Sequence, residues 1–126
     1  MSVEKLSVYK KSHELTLALY KLTVLFPTEE KFGLCSQIRR ASASICANLM
    51  EGYHRNNTGE YRNFVGIARG SVGELKYHLL LAKDLGYVLL DKYESLIIEI
   101  DDISKMLYGL IKSLNKDVAE VRKGSL

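Results

Sequence analysis

DKYESLIIEIDDISKMLYGLIKSLN, residues 91–115, decides the fold class of this chain. Tyr93, Leu96, Ile100, Ile103, Leu107, Leu110 and Leu114 recur at alternating steps of three and four, the spacing of one apolar face on a helix. Asp91 and Glu94 stand at capping-box spacing, which places the helix start near 91. The pattern thins from Asn115, and Lys123 to Leu126 reads as a frayed tail. Upstream, Gly86 marks the end of another helix, predicted over 58–85. Asn57 and Glu60 cap it, and its core positions are Tyr61, Phe64, Ala68, Val72, Leu75, Leu79 and Ala82. Before a polar loop at 53–58, Leu34, Ile38, Ala41, Ile45 and Leu49 predict a helix over 33–52, with Gly52 as its terminator. The first helix, 6–26, carries Val8, Ser12, Leu15, Leu19, Leu22 and Phe26, and Pro27 cannot continue it. Four helices with short loops and no strand pattern predict a single all-α domain, an antiparallel up-down four-helix bundle spanning 1–126.

The chain has 126 residues, 47% hydrophobic and 26% charged, so one domain with a real core is expected. The net charge of +3 is unevenly spread. Residues 1–86 hold 12 Lys and Arg against 8 Asp and Glu, whereas 87–126 hold 6 against 7. No apolar segment follows Met1 and no apolar run approaches a membrane span of about 18 residues, so a secretory leader and a membrane anchor are not expected. Cys35 and Cys46 lie eleven residues apart on one predicted helix, roughly 16 Å along its axis, too far for a disulfide. Two lone thiols fit the reducing cytoplasm.

Arg55, Arg62, Arg69, Lys76 and Lys83 recur every seventh residue, and the last four share one side of the 58–85 helix. Gly59, Gly66 and Gly73 form a second seven-spaced row beside them. Solvated helix faces usually mix signs, and this line does not. Arginine at three of the five positions suits phosphate, because its planar fork binds two oxygens. With Arg39 and Arg40 added, the row is a candidate nucleic-acid surface; an ordinary solvated face is the competing reading. The glycines read either as the seat of a closely packed neighbouring helix or as bare backbone open to a phosphate chain.

On the second helix, Gln37, Arg40, Ser44, Asn48 and Glu51 form a polar stripe, with Ser71 and Glu74 on the third as partners. A hydrogen-bonded seam that sets helix register is the structural reading, and direct ligand contact the alternative.

Catalytic patterns are thin. Glu51-Gly52-Tyr53-His54 has the Glu-x-x-His spacing of di-iron bundles, but such sites need that motif twice, plus two further carboxylates. Glu74 and His78 lie one turn apart, which suits a helix salt bridge as well as acid–base chemistry. His13 has no evident partner, and neither cysteine lies beside a general base in sequence. No cofactor or metal site is expected. Of eight tyrosines, Tyr9, Tyr20, Tyr77, Tyr87 and Tyr108 fall off the core stripes and suit either partial burial or subunit contact. Tyr53 and Tyr61 are weaker candidates for base stacking.

Phe26-Pro27-x-Glu29-Glu30-x-Phe32-Gly33-Leu34 leads into Gln37-Ile38-Arg39-Arg40-Ala41, then Ser44, Ile45, Asn48, Glu51 and Gly52. Ile67-Ala68-Arg69-Gly70-Ser71-Val72-x-Glu74-Leu75 follows. This ordered set resembles the small four-helix-bundle proteins encoded in intervening sequences of bacterial 23S ribosomal RNA genes, over about residues 6 to 114. Cys46 stands where that family often has proline, and Leu49-Met50 replaces the commoner Ile-Ala. The resemblance implies a homopentameric ring of bundles. It also implies kinship with the accessory protein of diversity-generating retroelements, which associates with a reverse transcriptase and nucleic acid. The expectation is a non-enzymatic, cytoplasmic, homo-oligomeric protein that binds structured RNA or DNA through Arg39, Arg40, Arg55, Arg62, Arg69, Lys76 and Lys83. The alternative is a protein-interaction scaffold or accessory factor for a polymerase or reverse transcriptase.

Overall fold

The computed structural model describes Val3 and residues 6–124. Four helices carry the fold: α1 (Ser7–Thr23), α2 (Leu34–Tyr53), α3 (Thr58–Asp84) and α4 (Leu90–Gly124). A 3-10 turn, Thr28–Glu30, joins the first two. Each helix packs on the next, and α1 meets α4 to close the bundle. No strand occurs among the described residues. Leu19, Ile38, Ile45, Leu49, Leu75, Leu79, Ile100, Ile103 and Leu107 lie fully buried at the centre, so the apolar stripes of all four helices converge as their spacing requires.

The helix ends depart from expectation for local reasons. α1 stops at Thr23, not 26. There Leu25 N–H donates to Leu22 and Phe26 N–H to Thr23, tightening the chain so that Phe26 turns into the core from outside the helix. α2 continues through Gly52 to Tyr53. Gly52 is not a left-handed terminator; α3 packs closely against its bare backbone. A Cβ there would sit 2.7 Å from Phe64 Cβ and 3.2 Å from the Tyr61 carbonyl oxygen. Asn57 caps α3 as expected, its side chain accepting from Glu60 N–H at 2.8 Å.

Gly86 ends α3 with φ of 84°, the single positive φ among the described residues. Tyr87 N–H reaches back to the Ala82 carbonyl and Gly86 N–H to Lys83, each at 2.9 Å, the paired bonds of a Schellman cap.

α4 begins at Leu90, with Tyr93 N–H donating to Leu89, so Asp91 lies inside the first turn. Its charge there complements the helix dipole. The expected tail is also helical: α4 runs to Gly124, 35 residues and roughly 52 Å. Leu114 is the last buried position of α4, and beyond it Val118, Val121 and Arg122 face the α2–α3 loop at Asn56–Gly59 across an open cleft. Ser125 and Leu126 fall outside the described residues. On α3 the core position is Val65, fully buried, and not Phe64. Phe64 is half-buried on the α2 side, under the Arg55 guanidinium at 4.8 Å.

Candidate nucleic-acid interface

Arg62, Arg69, Lys76 and Lys83 do lie in one line along α3, but the line faces α4. Arg62 donates to Asn115 Oδ1 at 3.3 Å. The Arg69 guanidinium stacks over Tyr108 at 4.9 Å, and Lys112 approaches the same ring at 5.7 Å. Lys76 bonds Asp101 at 2.8 Å. Lys83 lies over Tyr93 at 4.9 Å and pairs with Asp84 at 3.1 Å. Antiparallel geometry explains the match: positions 62, 69 and 76 rise by seven while their partners 115, 108 and 101 fall by seven. The row is therefore one half of an α3–α4 seam. Lys76 and Lys83 are neutralised by carboxylates. Arg62 and Arg69 make no ion pair among the described residues.

The glycine stripe sits beside this seam. A Cβ added at Gly66, Gly70 or Gly73 would meet nothing within 4 Å, so no neighbouring helix of this chain is seated there. Gly59 meets only the Asn57 side chain. Instead Gly66, Gly70 and Gly73 line an open groove of about 380 Å³ between α3 and α4, with Arg69, Lys76 and Asp101 on its rim. Ile67 and Tyr77 stand exposed on the same outer face of α3.

The other predicted cations lie elsewhere. Arg55 is in the α2–α3 loop, paired with Glu51 at 2.9 Å. Arg39 leaves α2 toward α1, donating to Thr23 Oγ1 at 2.8 Å and to the Tyr20 carbonyl at 3.1 Å, with its guanidinium 4.7 Å over the Tyr20 ring. Arg40 donates to Gln37 and forms an ion pair with Glu74 on α3.

That ion pair belongs to a polar seam between α2 and α3. Ser44 and Ser71 hydroxyls share a bond at 2.8 Å, and Asn48 donates to Ser44 Oγ at 2.9 Å. Gln37, Arg40 and Glu74 thus form one bonded group, and Ser44, Asn48 and Ser71 a second. Glu51 lies at the end of the stripe and turns to Arg55.

His78 Nε2 lies 3.8 Å from Glu74, while its Nδ1 is buried with no partner. Burial first, and the Arg40 charge second, hold the imidazole below its usual pKa. His54 Nδ1 lies 2.9 Å from the Met50 carbonyl, and Glu51 is occupied by Arg55. No group of three or more His, Cys, Asp or Glu could hold a metal ion among the described residues. Both cysteines are free. Cys35 donates to the Thr23 carbonyl at 3.4 Å and Cys46 to Tyr9 at 3.5 Å; burial raises both thiols, Cys46 to about 11. No described helix is long and apolar enough to cross a membrane.

Sequence reasoning missed Tyr108 and Lys112 as members of the seam, and Lys31 and Phe32 at the α1–α2 turn. The signal for the first pair was present: the cation row on α3 has a matching seven-residue row on α4, legible once the helices are laid antiparallel.

A family profile described as 23S rRNA-intervening sequence protein matches residues 4–109. A solved structure of a protein of unknown function from the S23 ribosomal protein family of Bacteroides thetaiotaomicron is similar in fold. It shares 28% identity, with a TM-score of 0.76, covering 83% of this chain and 95% of that one. No curated protein matches the chain.

Proposed function

The chain belongs to the 23S rRNA-intervening sequence protein family, and from that premise we propose that it is a non-enzymatic, cytoplasmic, self-assembling nucleic-acid-binding protein. The observation that carries this reading is Arg69, a guanidinium without a carboxylate on a groove floored by bare glycine backbone, with Arg62, likewise without one, seven residues before it on the same line of α3. A phosphate chain entering that groove would meet no Cβ at Gly66, Gly70 or Gly73, one forked donor at its edge in Arg69, and a second in Arg62 where it runs on along α3. Lys76 and Lys83 contribute less, because Asp101 and Asp84 already offset them. Arg39, Arg40 and Arg55 stand outside the groove as secondary contacts.

Self-association strengthens the reading. Ile67 and Tyr77 are more than half exposed on a helix face that carries few charges, which suits a second subunit. A homopentameric ring would repeat the arginine pair around its circumference and raise affinity through avidity. Sedimentation at micromolar concentration tests this, and a monomer across that range would remove the ring.

The direct test is the salt dependence of binding. Losing two phosphate contacts in the Arg62→Gln/Arg69→Gln variant should flatten the log–log slope by about 1.8 on duplex DNA and about 1.4 on single strands per protomer. All sequences should weaken alike. An unchanged slope refutes phosphate contact along the seam.

A second reading is favoured by one observation. Val24, Leu25, Leu85 and Leu89, all at least half exposed, lie in the two loops that Phe26 and Tyr87 hold together, with ring centroids 5.5 Å apart. Such an apolar end suits a protein client, and an accessory role beside a polymerase or reverse transcriptase is the scaffold alternative.

A further inference from the structure

Phe32 is 89% exposed, the most exposed large apolar side chain described. Single exposed apolar residues are ordinary, but the surroundings of this one are not. An open cavity of about 440 Å³ beside it is lined by Tyr20, Lys31, Phe32, Ser36, Arg39 and Arg40. Every lining side chain is aromatic, cationic or a small hydroxyl, and no carboxylate is among them. The nearest acid in sequence, Glu30, is turned the other way: its Oε1 accepts from Leu34 N–H at 3.3 Å, and its charge bears on the Tyr87 phenol of the far loop.

Two stacking surfaces result. The Phe32 ring is bare apart from the Lys31 ammonium 5.5 Å from its centroid. The Arg39 guanidinium lies over Tyr20, pinned by its bonds to Thr23 and the Tyr20 carbonyl, so its outer plane faces solvent in a fixed orientation. Unpaired bases stack on aromatic rings and on arginine planes, and interleaved cations take the phosphates. A duplex hides its base faces and cannot use such a surface. A protein partner would be served by an apolar hollow, and this one is lined by Lys31 and Arg39, with Arg40 held at its side by Glu74.

We infer that the α1–α2 turn carries a stacking platform for single-stranded nucleic acid, built from Phe32, Tyr20 and Arg39 with Lys31 as its phosphate contact. The inference rests on the nucleic-acid reading given above but concerns a different face of the bundle. The groove between α3 and α4 would hold backbone of any strandedness, whereas the platform selects strands whose bases are free.

The experiment compares wild type, Phe32→Ala and Arg62→Gln/Arg69→Gln for binding of a short labelled RNA, single-stranded and as a duplex. Phe32→Ala should weaken single-strand binding by about 5- to 150-fold, the range expected for one lost base stack, and leave duplex binding unchanged. The arginine variant should weaken both. Because the chain has no tryptophan, Phe32→Trp supplies a lone reporter, and its fluorescence should quench with single-stranded RNA but not with the duplex or with inorganic polyphosphate. Equal loss of both RNA forms in Phe32→Ala, or quenching by polyphosphate, overturns the platform. Quenching by a phosphorylated peptide but not by RNA reassigns it to a protein ligand and also overturns it. If Phe32→Ala binds as wild type while the arginine variant does not, the platform fails and the seam reading stands; the reverse leaves the platform alone. Absence of any nucleic-acid binding by wild type removes both.

Discussion

Replacing Gly66, Gly70 and Gly73 together with alanine should stabilise this protein. All three sit in the interior of α3, where glycine costs about 1 kcal/mol relative to alanine. None of the new methyl groups would meet an atom within 4 Å, so no strain offsets the gain. The triple variant should gain about 2–3 kcal/mol. With an unfolding entropy of about 2.1 cal/mol/K per residue over 126 residues, this raises Tm by ~8–11 °C. The assay is thermal unfolding by circular dichroism over a dilution series, because self-association of the kind proposed above would make Tm depend on concentration. Gly52→Ala is the internal contrast. Its Cβ would fall 2.7 Å from Phe64 Cβ, so it should destabilise by about 1–3 kcal/mol. A fall in Tm for the triple variant at dilutions where the protein is monomeric would refute the open-groove geometry. Binding and assembly should move the other way from stability, because three methyl groups would hold a phosphate chain or a second subunit off the helix. A triple variant that is more stable and binds RNA as wild type would show that no partner uses the bare backbone.

Other outcomes follow from single positions. Ile103→Ala, at a fully buried site, should cost about 2–5 kcal/mol in urea unfolding. Asn57→Ala should cost about 1 kcal/mol by removing the α3 cap, with Asn57→Ser recovering most of it. The imidazole of His78 should titrate below its usual value in an NMR pH series. Its neutral form is the one folding favours, so the stability it contributes is present above about pH 6.5 and lost as pH falls through the depressed value. Cys46, pushed up to about 11, should alkylate slowly near neutrality and faster as pH rises; stability linked to its neutral thiol is present below about pH 8.5 and lost as pH climbs toward 11.

The four helices were legible because their apolar positions keep one period over many turns. Asn57 and Gly86 were legible because capping chemistry is local. The misread ends share a different cause. Gly52 and Phe64 are governed by how closely α2 approaches α3, and the last turns of α4 by the loop they face; neither distance is written in one segment. The site shows the same division. The seven-residue spacing of Arg62, Arg69 and Lys76 is a property of α3 alone, but what those charges touch is a property of α4. Asp101 could be recognised as a counter-charge only after the helices were placed antiparallel. Phe32 stands out in the sequence only as part of the family motif, since nothing in its neighbours indicates that Tyr20 and Arg39 would be folded beside it.

α1 packs chiefly on α2 and touches α4 little. Two of its five buried side chains are Ser12 and Thr23, and the Ser12 hydroxyl has no partner. It is therefore less costly to release than α2 or α3, and its amide hydrogens should exchange before theirs. Both thiols are latched to this one helix, Cys46 near its beginning through Tyr9 and Cys35 at its end through Thr23. Their labelling rates would clock the undocking of each end separately. Undocking also parts Tyr20 from Arg39, so whatever holds that pair together from outside should slow the clock at Cys35 first.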